Sequence, residues 1–153
     1  MDDRAVVERQ LGRPPRAFRQ VVVRCPYGRP AVTEQAPHDE SGEPFPTTYY
    51  LTCPHLVAVL ARLEAVGGVQ RWSRAAAENP ALHESLERAH AEQRRIRPQL
   101  DLGIGGAHSE AGSLKCLHAH AAFALARPGY ELGERILAEI EPLWPTDGCC
   151  TSI

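Results

Sequence analysis

No long apolar run interrupts this 153-residue chain: nothing approaches the roughly 20 consecutive residues that cross a bilayer as a helix. A membrane is therefore not expected as a partner. Nor does one sign of charge prevail, because seventeen Lys and Arg face nineteen Asp and Glu, for a formal charge of -2. Such a balance gives no broad field to draw nucleic acid or an anionic surface, so a charged ligand would need a local site. The start, Met1-Asp2-Asp3-Arg4, lacks the apolar core and cleavage pattern of a secretory leader, and a cytoplasmic location is expected. Close Cys-x-x-Cys pairs are absent, which removes the usual sign of a zinc ribbon. No repeat period is visible.

What is present is the length of a single domain, expected over 1–153, with residues 1–15 as a peripheral segment and 145–153 as a tail. Val6, Val7 and Leu11 suggest a short helix stopped by Gly12. The β-branched runs Val21-Val22-Val23 and Ala31-Val32-Thr33, parted by Pro26, Gly28 and Pro30, predict two strands, and residues 47–52 a third. From Pro54 the apolar residues follow helical spacing until Gly67-Gly68. A second helix is expected from about Pro80 to Arg95, capped by Asn79. A third should be capped by Ser113 and carry Leu117, Ala121 and Leu125, and a fourth should run from Leu132 to Ile140. The fold class is thus α+β: a small antiparallel sheet of about three strands in the N-terminal third, packed against three or four helices.

Five cysteines, an odd number in a chain of this size, argue against a disulfide framework and leave metal ligation, catalysis or burial. Cys53 and Cys116 are each expected at or within the first turn of a helix, where unpaired amides and the dipole favour thiolate. Helical spacing turns Cys116 and His120, four apart, to one side and His118 to the other. His55 is close enough to Cys53 to act as an alternate ligand or to bond a sulfur. A metal site of Cys25, Cys53, Cys116 and one of Cys149 and Cys150, with His55 and His120 as alternate or supporting partners, would suit an iron–sulfur cluster or zinc. An alternative needs no metal: Cys116 is a nucleophile, His120 or His118 its base, and Gly105, Gly106, Ser113 and Lys115 hold an anionic substrate. A third use is an adaptor without a site, since isolated cysteines are also explained by packing. His83, Glu87 and His90 share a face of the second helix, which a salt-bridged surface also explains.

The strings Pro44-Phe45-Pro46-Thr47-Thr48-Tyr49-Tyr50-Leu51-Thr52-Cys53-Pro54 and Lys115-Cys116-Leu117-His118-Ala119-His120 resemble the bacterial family catalogued as domain of unknown function 501. Arg24-Cys25-Pro26-Tyr27-Gly28, Leu63-Glu64 and Gly103-Ile104-Gly105-Gly106 fit the same pattern. The resemblance implies a bacterial housekeeping role near cell-division and polyphosphate genes, and it brings no catalytic residues with it.

Overall fold

The computed structural model describes residues 2–106 and 114–148. Helix α1 (Asp3–Leu11) opens with the Asp2 carboxylate accepting the Ala5 amide at 2.8 Å and closes at Gly12, whose φ of 75° suits glycine. It places Val6 and Val7 under the sheet. Strands β1 (Phe18–Arg24), β2 (Pro30–Gln35) and β3 (Tyr49–Leu51) form an antiparallel sheet in the order β1-β2-β3. The central strand β2 is almost wholly buried, whereas β1 is an edge whose register slips at several points. β2 and β3 pair Val32 with Leu51 and Thr33 with Tyr50.

Cys53 stands between β3 and helix α2 (Pro54–Ala65), and Pro54 occupies a helix start where a missing N–H costs nothing. The glycine pair that reads as a stop in the sequence is a stop and a new start. Gly67 turns the chain at φ 90°, and Gly68 opens helix α3 (Gly68–Glu78) at once. A Cβ on Gly68 would lie 2.7 Å from the Leu63 carbonyl oxygen, so the close approach of the two helices requires glycine. Helix α4 (Pro80–Ile96) begins as expected, with Asn79 accepting the amides of Ala81 and Leu82 at 3.0 and 3.2 Å. Helices α5 (Leu117–Ala126) and α6 (Glu131–Glu139) complete the array. The class is α+β as expected, but the described residues form six helices where three or four were expected. α1 is the short N-terminal helix expected apart from those, so the unforeseen element is α3.

The core lies between the sheet and α5, which buries Leu117, His120 and the run Ala121 to Ala124. Phe123 meets Tyr49 and Tyr130 edge to face, with ring centroids 5.7 and 5.8 Å apart. Small side chains let α6 come close to α5: a Cβ on Gly133 would sit 2.7 Å from the Ala124 Cβ and 2.9 Å from the His120 carbonyl. Backbone lies on one side of that gap, so it cannot open without moving a helix. Replacing Gly133→Ala should destabilise the protein by about 1–3 kcal/mol. The urea midpoint should fall while the slope of the transition stays the same.

Candidate functional site

Val57 and Glu64 are seven residues apart on α2, two turns, and so share a face of the helix. That face meets the start of α5. Cys116 is the residue before this helix, with extended backbone (φ -156°, ψ 156°), and its side chain makes no capping bond. The cap comes instead from α2, where Glu64 Oε2 accepts the Leu117 amide at 2.7 Å. A carboxylate near the C-terminal end of its own helix opposes that helix's dipole, and the positive end of α5 compensates it.

Two residues beyond Cys116, the His118 ring is held at both nitrogens. Nδ1 lies 3.2 Å from Glu64 Oε2, and Nε2 lies 3.1 Å from the Val57 carbonyl oxygen. Both partners accept hydrogen bonds, so the ring is best satisfied as imidazolium, donating twice. Its pKa is raised from 6.5 to about 9, above all by a hydrogen bond with Cys116; burial opposes the rise, and Val57 and Glu64 add to it. Ligand atoms of Glu64, Cys116 and His118 all lie within 4.8 Å of one another, on half-buried residues. Among the described residues no other set of three His, Cys, Asp or Glu side chains gathers in this way.

The expected facing of Cys116 and His120 is corrected. It assumed a helix already under way at Cys116, whereas the helix begins at Leu117 and the extended residue before it escapes the four-residue rule. His120 is buried instead, sharing a 2.8 Å hydrogen bond between Nδ1 and the Tyr130 hydroxyl and meeting the ring of His90. Burial lowers its pKa to about 3, which keeps it neutral. Cys25 is buried at the turn after β1, where its amide donates to the Arg29 carbonyl at 2.9 Å. Cys53 is buried at the start of α2, and His55 is half-buried on its first turn. None of these three joins the Glu64 group, and neither cysteine forms a disulfide. Cys149, Cys150 and Ser113 lie outside the described residues.

The glycine-rich loop has a packing role. A Cβ on Gly103 would fall 2.3 Å from His90 Nδ1, which accepts the Ile104 amide at 3.0 Å. Lys115 donates to the Gly106 carbonyl at 3.2 Å, so Gly106 meets it with an acceptor and the ammonium is engaged by the loop itself. His83, Glu87 and His90 do not form a group, because His90 points into the core. Glu64 is the member of this group that sequence reasoning did not name as a candidate. Its signals in the sequence are its place in the Leu63-Glu64 string and a carboxylate set against the dipole at a helix end.

The sign of the His118 shift sets a pH dependence for the metal-free protein. Its folded value, about 9, exceeds the unfolded 6.5, so the stabilisation is fully present below pH 6.5 and is lost as pH rises towards 9. The lead of the wild type over His118→Gln in urea midpoint should therefore be greatest below 6.5 and fade across that window. A lead that grows with pH would contradict the assignment.

The model of the family described as protein of unknown function (DUF501) matches residues 21–102, a little over half of the chain. Val57 and Glu64 lie within the matched span, and Cys116 and His118 lie beyond it. No curated protein and no solved structure matches the chain.

Proposed function

We propose that this chain, which belongs to the DUF501 family, binds one divalent metal ion of the zinc class through Cys116 Sγ, His118 Nδ1 and a Glu64 carboxylate oxygen. The observation that carries the reading is the gathering of these three donors within 4.8 Å while the far side of the imidazole rests on the Val57 carbonyl. Metal-bound histidine characteristically donates its other N–H to such an acceptor, which fixes the ring for ligation. One thiolate, one imidazole and one carboxylate suit zinc better than an iron–sulfur cluster, whose ligands are mostly thiolates. Three protein ligands leave a fourth position for water or a substrate. The dispersed set of Cys25, Cys53, Cys116 and a tail cysteine is replaced in this reading by a mixed set.

A second reading is favoured by the acceptors at both His118 nitrogens. Without metal, Cys116 hydrogen-bonded to the His118 ring serves as a nucleophile, with the imidazole in reach of its sulfur for proton transfer. The two readings separate experimentally. Purified protein should carry close to one zinc per chain and no acid-labile sulfide. After chelation, cobalt(II) should restore one equivalent with thiolate-to-cobalt absorption, lost in Cys116→Ser. Glu64→Gln should weaken the affinity by roughly tenfold or more. Absence of zinc and of any cobalt absorption would sink the metal reading. If Cys116 is then alkylated quickly at neutral pH and more slowly in His118→Gln, the second reading stands.

A further inference from the structure

Arg97, at the C-terminal end of α4, is 3 % exposed, yet no carboxylate comes within salt-bridge distance of it among the described residues. One of its amino groups donates to the Gln35 carbonyl on β2, and the other, NH1, has no partner. The ionisable groups around it are Arg19, which repels it, and Glu34 and Tyr49, which favour its charge. A guanidinium remains charged when buried, and a buried charge without an anion is costly.

Gln35, to which Arg97 is tied, forms part of the wall of a cleft of about 320 Å³ at the opposite end of the sheet strand from Cys25. The cleft is also lined by Arg13, Arg16, Phe45, Thr47 and Tyr50, and contains no carboxylate. Asp39 already bridges Arg16 at 2.7 Å, and the guanidinium carbon of Arg16 lies 5.0 Å from the centre of the Phe45 ring. Among the described residues Arg13 has a neutral partner, the Tyr50 hydroxyl at 3.1 Å, and no ion pair. Among the described residues, two cations, Arg13 on the cleft and Arg97 behind its wall, thus have no ion-pair partner, Glu34 acting on Arg97 only from beyond salt-bridge distance. Leu11, Pro15 and Phe45 supply apolar surface beside them.

We infer that this cleft binds a small molecule carrying an oxyanion on an apolar body, with Arg13 as the accessible charge and the Arg97–Gln35 pair as its charged support. The site is separate from the Glu64 group and does not depend on metal. Phenyl phosphate and benzoate test it in the intact protein, with benzyl alcohol as the uncharged control. Followed by two-dimensional NMR, at least one of the anions should saturably shift the amides of Gln35, Thr47 and Tyr50, and the preferred anion identifies the headgroup. Benzyl alcohol should not. Arg13→Ala, a change at an exposed position, should weaken binding about tenfold or more, and Arg97→Lys, which keeps charge but loses the fork, should weaken it as well. Failure of both anions to shift these amides at millimolar concentration overturns the proposal. Binding that Arg13→Ala leaves unchanged overturns it equally, because that variant does not disturb the core.

Discussion

The Glu64 carboxylate lies between two helix ends of opposite polarity, and the geometry around the candidate site follows from that position. At the end of α2 it is poorly placed, facing carbonyl groups that carry partial negative charge. At the start of α5 it meets an amide that no local side chain caps, and it accepts that amide at 2.7 Å. The bond fixes where α5 begins. A helix that begins at Leu117 leaves Cys116 extended and brings His118 round to Val57. A cysteine, a histidine and a carboxylate converge because one cap is supplied from a distance.

Away from that junction, polar groups are buried on a second front. Thr33, Gln35, Thr48, Gln93 and Arg97 form a layer between the sheet and the end of α4, each nearly without solvent contact. Gln93 donates to the Thr48 hydroxyl at 2.5 Å, and Arg97 reaches the Gln35 carbonyl. Such a layer contributes less than apolar packing would, but its directional bonds allow few alternative arrangements of strand and helix. The alanine-rich face of α5 does the opposite work, since it imposes no direction and allows close approach.

Elements set by short-range chemistry were legible in the sequence. Asn79 before Pro80, Pro54 after Cys53 and the β-branched run in β2 each signal their structure within a few residues. The start of α5 was not, because its cap is Glu64, 53 residues earlier in the chain. Placing that start early turned Cys116 towards His120, since the helical rule applies only once a helix is under way. α3 was hidden for a different reason. A glycine pair ends a helix in most settings, and only the contact of Gly68 with Leu63 reveals that the second glycine belongs to the next one. The cysteines stood out in the sequence as residues of interest, yet spacing along the chain could not say which of them would share a neighbourhood.

The distance in sequence between the two halves of the Glu64 group has a consequence for the order of folding. The hairpin of β1 and β2 and the helix α4 rest on local contacts and can form early. The Glu64 group closes a loop of more than fifty residues, so it comes into being only after the chain has collapsed around α5. A half-folded chain contains every residue of the group and none of its geometry. Any ion or reagent that selects that geometry therefore reads the completeness of the fold, and a fault far from Cys116, in the docking of α3 or α6, would be felt there.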